Sequence, residues 1–315
     1  MLRVVATSLL LSSLSFVVAT QAACMSEDPV DAGDHATCEE SWAERALPPL
    51  AERSGTAVSG DLSCSAATDA PARWLTVDAA CIERAQLTGK AIDPHLGYAF
   101  GGVVYEFFFS DVDNGLAEVI RTSNEDGTLS NVFVPTCAPF TYVATGDRDT
   151  ALPTTRQHIA VPFEETWAGD LTFFSGAAVA TLASLLGESL IAGRGALFGR
   201  VVGCDGAPIV GAHVVVRDGA CRAIDDEGGA TGYTRFGAFA VVDPALRATS
   251  DDGGFFAVNV PEGGYVVEAF VTDGEVTRPI GRAPVAIAGD EVALVDVQVG
   301  RADGVALPAA CARCD

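Results

Sequence analysis

The chain has 315 residues, 49% hydrophobic and 19% charged, with 19 basic against 42 acidic side chains for a net charge of −23. That is enough apolar material for two cores, and it excludes a disordered polymer. The acidic balance excludes nucleic acid and argues against anionic membrane surfaces, since both need a basic patch.

Residues 1–23 open with Arg3, continue as an apolar run from Val4 to Ala19 and end on Ala22-Ala23. This is the pattern of a secretory signal peptide; the run is too short for a membrane span and is broken by serines. Its removal takes away one Arg and no acid, so the mature charge becomes 18 − 42 = −24. Cys24 follows at once, and the junction resembles the lipobox of bacterial lipoproteins, with Gln21 where an aliphatic residue is usual. The resemblance implies acylation of Cys24 and an anchored protein of the outer membrane, periplasm or cell surface. Plain cleavage and secretion is the alternative. Using Cys24 leaves eight of the nine cysteines (Cys38, Cys64, Cys81, Cys137, Cys204, Cys221, Cys311 and Cys314), an even number suited to pairing in an oxidising compartment.

Residues 24–83 have no sustained period and read as a loosely structured stalk stapled by disulfides, with a short helix within 39–53. The first β-module is expected over 84–165. LTGKAID (87–93) is a strand, and VVYEFFF alternates, placing Val103, Tyr105, Phe107 and Phe109 on one face. Asp126-Gly127 makes a turn, LSNVFV follows and stops at Pro135, then FTYVAT and RQHIAVPF continue as strands. Residues 166–193 read as a linker whose stretch 175–187 is a helix with Ser175 as N-cap, apolar on nearly every face and expected between the two modules.

The second module, 194–301, repeats the first. GALFGRVVG and AHVVVRD are strands, Asp252-Gly253 turns, and Pro261 stands nine residues after the Asp, as Pro135 does after Asp126. Gly102 and Gly211 precede equivalent strands, but the gap to the Asp-Gly turn is 24 residues in one copy and 41 in the other. The extra 17 lie within 218–249, where a rim loop bearing Tyr233, Arg235, Phe236 and Phe239 is the candidate binding surface. A final hairpin through Gly289-Asp290 and a tail, 302–315, end the chain. The repeated Gly, Asp and Pro positions read as structural turns.

The order Gly206-Ala207-Pro208, Gly211-Ala212, Val214, Val216, Ser250, Asp252-Gly253, Phe255, Val260-Pro261, Gly264 and Tyr265 resembles the carboxypeptidase regulatory-like domain. The resemblance covers about 195–300 well and 85–145 more loosely. It implies an all-β fold of two tandem seven-stranded, transthyretin-like sandwiches joined by a short helix, and it implies little about function. Related sandwiches bind carbohydrate.

The chemistry-bearing patterns are sparse. None of the four histidines (His35, His95, His158, His213) is followed by Glu at the spacing of a zinc peptidase. No nucleophile elbow, phosphate loop or dinucleotide fingerprint occurs. Asp111-Val-Asp113-Asn114-Gly115 lacks the twelfth-position Glu of a calcium loop, where Thr122 stands. Cys311-Ala-Arg-Cys314 reads as part of a structural disulfide, and Cys204 with Cys221 remains an open pairing. An isopeptide cross-link of the collagen-adhesin type needs Lys, Asn and an acid; Lys90 has no partner Glu, and Glu268 faces a copy with Arg200 in place of Lys. Trp42, Trp74 and Trp167 fall outside the matched strands. The expectation is a non-catalytic exported surface or envelope protein without cofactor or metal, used for display, adhesion or scaffolding. The alternative is a glycan-binding envelope protein, and the expected partner is a glycan or another envelope protein.

Overall fold

The computed structural model describes residues 47–65, 84–109, 117–146, 151–162, 165–236 and 240–301. The signal segment, Cys24, Cys38, Cys81, the Asp111–Gly115 loop, Phe239, Trp42, Trp74 and the Cys311/Cys314 tail lie outside them.

A short helix, α1 (Leu50–Arg53), precedes the first module, whose strands are β1 (Arg84–Asp93), β2 (Tyr98–Ala99), β3 (Val104–Phe108), β4 (Val119–Thr122), β5 (Thr128–Pro135), β6 (Phe140–Thr145), β7 (Thr154–Ile159), β8 (Thr166–Ala168) and β9 (Leu171–Thr172). β1 pairs antiparallel with β5 on one side and parallel with β8 and β9 on the other. β4, β3, β6 and β7 line up in the facing sheet. Period-two alternation sends Ala85, Leu87 and Ala91 of β1 inward, against Tyr105 and Phe107 of β3 and Phe140 and Tyr142 of β6. The two tyrosines donate their hydroxyls to Leu171 O (3.0 Å) and Thr172 O (2.8 Å), so each buried O–H is satisfied by the closing strand. Residues 166–172, read from sequence as linker, therefore run as strands of the first sheet.

The second module contains β10 (Gly195–Val202), β11 (His213–Asp218), β12 (Ala230–Phe236), β13 (Ala240–Val242), β14 (Gly254–Val260), β15 (Gly263–Asp273), β16 (Val276–Ile287) and β17 (Val292–Gln298). Here β10 pairs antiparallel with β14 and parallel with β17, the same arrangement that β1 has with β5 and with β8 and β9. The facing sheet is β11-β15-β16, and Leu197, Val201, Phe255, Val267, Ala283 and Val295 fill the space between. The last two strands are not the expected hairpin. β16 pairs with β15, whereas β17 crosses to the other sheet. The reason is in the strand itself: VALVDVQ is buried on both faces apart from Asp296, as a central parallel strand requires.

The second sandwich is not separate from the first. β17 pairs parallel with β7 (Val292↔Thr154, Ala293↔Thr155, Leu294↔Arg156), so one sheet of nine strands runs β13-β12-β14-β10-β17-β7-β6-β3-β4 through both modules. At this seam Asp296 accepts from Arg156 (2.7 Å) and lies 3.7 Å from Arg200. The helix α2 (Gly176–Leu185) starts at Ser175, whose side chain accepts from Ala178 N. It does not lie between two sandwiches: Val179, Leu182 and Ala183 pack on Phe198, Phe256, Val258 and Leu294, covering the outer face of this sheet. Its other side, with Ala177, Ala180, Thr181 and Ser184, is exposed. Those residues are small; Leu185, at the end of the helix, is the large apolar side chain left partly in water there, 38% exposed. Burying Val179 and Leu182 contributes roughly 1.5–3 kcal/mol each.

Residues 47–65 are docked on the second sandwich and not a free stalk. Cys64 is disulfide-bonded to Cys204, which closes the alternative of Cys204 with Cys221. Ser59 bridges Val210, Arg53 donates to Thr277 (2.8 Å), Arg278 donates to Ser65 (2.8 Å), and Leu47 packs on Val215 and Phe270. Cys137 and Cys221 each take part in a disulfide of their own, with partners other than one another.

Gly102, Gly127, Gly211 and Gly253 all have positive φ, between 67° and 82°. Two glycines separate the effects of strain and of space. A Cβ on Gly199 of β10 would come 2.2 Å from Val295 O and 2.4 Å from the Phe255 ring, whereas one on Gly102 (φ 82°) would meet nothing within 4 Å. Gly199→Ala should therefore cost about 3 kcal/mol or more by overpacking. Gly102→Ala should cost only the left-handed backbone penalty, about 1–2 kcal/mol. Urea unfolding of the two variants checks the order, and equal losses would contradict it.

Candidate binding surface

The 218–249 excursion is built as secondary structure. Arg217 bridges Ala223, a 3-10 turn covers Ile224–Glu227, and β12 then pairs with β14 at the sheet edge while β13 folds back on β12. Tyr233, the aromatic expected to face a ligand, is a core residue, 7% exposed and packed with the inner face. Its hydroxyl accepts from Val214 N (3.0 Å), and burial pushes its pKa up to about 12. Tyr233 is the last residue of β12 paired with β14, and its neighbours Gly232 and Thr234 are buried with it. Arg235 is exposed and pairs with Asp243 at 3.3 Å. Phe236 ends β12 opposite Ala240, and Phe239 lies outside the described residues. Tyr233 is therefore not part of an exposed aromatic surface.

The repeated turn residues act on the backbone. Asp126 accepts from both the N–H and the hydroxyl of Thr128 (3.0 and 2.6 Å), which lowers its pKa. Asp252 is buried; one oxygen accepts from Gly254 N (2.9 Å) and the other from Thr234 (2.7 Å). Pro135 is the last paired residue of β5, opposite Arg84. Pro261 follows β14, and its carbonyl accepts from the Tyr265 hydroxyl (2.8 Å).

The excursion does contribute to a different place. Asp218, Arg222, Asp226 and Glu227 come together with Glu262 and Tyr265 around a polar groove of about 570 Å3 at one end of the second sandwich. Arg222 ties the groove together, bonding both Asp218 (2.6 Å) and Glu227 (2.9 Å). Arg194 donates to the carbonyls of Glu227 and Asn259 (2.9 Å each). Asn259 (φ 57°) is itself the extra residue of a β-bulge between β10 and β14. These groups offer hydrogen bonds to a polar or cationic ligand, and no Ser, Thr or Cys is among the described residues lining the groove. The sequence held a signal for the clamp, since Asp218 and Arg222 flank a tight turn; nothing local pointed to Glu262 or Tyr265, which arrive from another hairpin. A smaller pocket of about 230 Å3 lies at the seam, beside Arg156, Arg200, Asp170 and Asp296.

Among the described residues no group of three or more His, Cys, Asp or Glu is placed to hold a metal ion. His213 is buried on β11, bonded through Nδ1 to Arg247 O (2.9 Å), and burial lowers its pKa. The parts of an isopeptide centre are scattered: Lys90 is exposed, Arg200 sits by Asp296, and Glu268 is held bidentate by Arg217 (2.8 and 2.9 Å). Trp167 packs against the first core.

No protein-family model matches the chain. No curated protein matches it. Among solved structures, the Bacillus anthracis TIE protein aligns over 69% of this chain and 34% of its own, at 13% identity and a TM-score of 0.24. The minor pilin GBS52 of Streptococcus agalactiae aligns over 68% and 96%, at 12% identity and TM-score 0.21. The shaft pilin SpaA of Lactobacillus rhamnosus GG aligns over 69% and 98%, at 11% and 0.21. The chain thus spans about a third of the first of these proteins.

Because Tyr233 is packed and hydrogen-bonded, Tyr233→Phe should leave the buried Val214 N–H without an acceptor and cost about 1–3 kcal/mol. Its raised pKa also sets a pH dependence: the folded state holds the phenolic proton longer than the unfolded chain. Its contribution is whole below about pH 10 and is lost as pH rises toward about 12. Denaturant unfolding between those limits should show a shallower alkaline loss in the Phe variant; an unchanged slope would place the hydroxyl in solvent.

Proposed function

We propose that this is a non-catalytic exported protein of the cell envelope or surface, a rigid scaffold that displays its module ends to other envelope components. The observation that supports this most is the seam between β17 and β7, which turns two sandwiches into one body through a shared sheet. Tandem modules on a flexible linker move independently; here main-chain hydrogen bonds and the Arg156–Asp296 pair oppose any hinge. The disulfide from Cys64 to Cys204 adds a covalent tie between segments 140 residues apart and suits an oxidising compartment. Acylation at Cys24 would hold that body at a membrane. The glycan-binding alternative loses its main aromatic, since Tyr233 lies in the core.

The test is fractionation of the producing cells with protease added before and after lysis. The protein is expected in the envelope fraction, with its exposed loops cut in one of the two conditions according to the face it occupies. Recovery in the cytosol with reduced cysteines would overturn export. Mass spectrometry of the mature N-terminus should show a diacylglyceryl group on Cys24; an unmodified end there would overturn the anchor and leave export standing.

A further inference from the structure

A second cavity, of about 310 Å3, opens on the second module between the N-terminal turn of α2, residues 190–196 and the residues just before β17. Its wall is apolar: Leu152, Val179, Leu190, Ile191 and Ala196 supply most of it. Leu190 and Ile191 are 44% and 47% exposed, large aliphatic side chains left in solvent at the mouth. In an acidic chain with 19% charged residues, two adjacent exposed aliphatics beside a cavity are a costly surface to leave uncovered.

The same cavity carries the carboxylate of Glu291. Glu291 is half-buried, takes a hydrogen bond from the Thr155 side chain across the seam, and has no cationic partner among the described residues. Arg194, which also lines the cavity, donates through Nη1 to the carbonyls of Glu227 and Asn259, and no ion pair joins it to Glu291 among the described residues. Burial raises the Glu291 pKa, the response of an acid lacking a counter-charge. Asp290 lies next to it, its carboxylate accepting from Gly193 N (3.0 Å), so the described lining sets two carboxylates against one guanidinium.

We propose that this cavity binds a small amphiphilic monocation, its apolar body against Val179, Leu190 and Ile191 and its ammonium or guanidinium group on Glu291. The size lies at the lower end of small-ligand pockets, about 300–1,000 Å3, which a single alkyl chain or ring system fills. The ligand's charge replaces the missing counter-ion, and its hydrocarbon covers the exposed aliphatics. A neutral amphiphile gains only the second of these, and an anionic one is repelled. The site is independent of the scaffold role proposed above and shares Arg194 with the lining of the polar groove.

The test uses the full mature chain with its disulfides intact, titrated calorimetrically with octylammonium, 1-octanol and octanoate below their aggregation concentrations. Octylammonium should bind about tenfold or more tightly than octanol, the worth of one charge-assisted hydrogen bond, and octanoate should not bind. Glu291→Gln should bring octylammonium down to the octanol level, and Ile191→Gln should weaken both. Acidification through the raised carboxyl range should have the same effect as Glu291→Gln. Equal binding of the three ligands, absence of binding, or an unchanged preference in Glu291→Gln would overturn the proposal. Thermal unfolding of both variants, each at or near the surface, confirms that they remain folded.

Discussion

The parallel pairing of β17 with its two neighbours, β10 on one side and β7 on the other, is the constraint on which the rest depends. In the first module the equivalent place beside β1 is filled by β8 and β9, short strands with a break between them. In the second module a single seven-residue strand fills it and leaves its far edge open, and β7 occupies that edge. An open edge of unpaired N–H and C=O groups is a liability in solution. Covering it from the first module removes the liability and fuses the two cores in one step.

Several features fall into place around the seam. The outer face of β10, β14 and β17 would be an exposed apolar sheet, with Phe198, Phe256, Val258 and Leu294 in water; α2 covers it. Asp296 is the one partly exposed charge on β17, and it sits where Arg156 and Arg200 converge, so the side chains reinforce the register that the backbone sets. Asp93 at the end of β1 is fully buried, yet its two oxygens accept from His95 N, Leu96 N and Ser175 N, linking the first sheet to the cap of the helix. Residues 47–65 precede the first module in sequence but dock on the second, where Cys64, Ser59 and Arg53 hold them. These contacts favour a single rigid unit over two jointed ones.

The aromatic residues illustrate why a binding surface was hard to place from sequence. An aromatic flanked by Gly and Thr in a long insertion reads as loop chemistry, and Tyr233 has that setting. Pairing decides the matter: at Tyr233 β12 still pairs with β14 and the ring enters the core, where its hydroxyl meets Val214 N, whereas Arg235 lies beyond that pairing, opposite Val241 of β13, and reaches Asp243. The polar groove instead gathers groups from two connections distant in sequence, Asp218 to Glu227 and Pro261 to Tyr265.

By itself the sequence determined the all-β class, the duplication and most strand positions, because alternation, Asp-Gly turns and prolines act over a few residues. The N-cap at Ser175 and the positive-φ glycines were legible for the same reason. What only the tertiary structure decided is which edges meet: that 166–172 closes the first sheet, that β17 leaves β16 for the opposite sheet, that Cys64 finds Cys204, and that β7 joins the modules. Parallel pairing has no turn to announce it and here joins residues 80 to 138 positions apart. Its only local trace is a strand apolar on both faces, and that pattern says the strand is buried without saying against what.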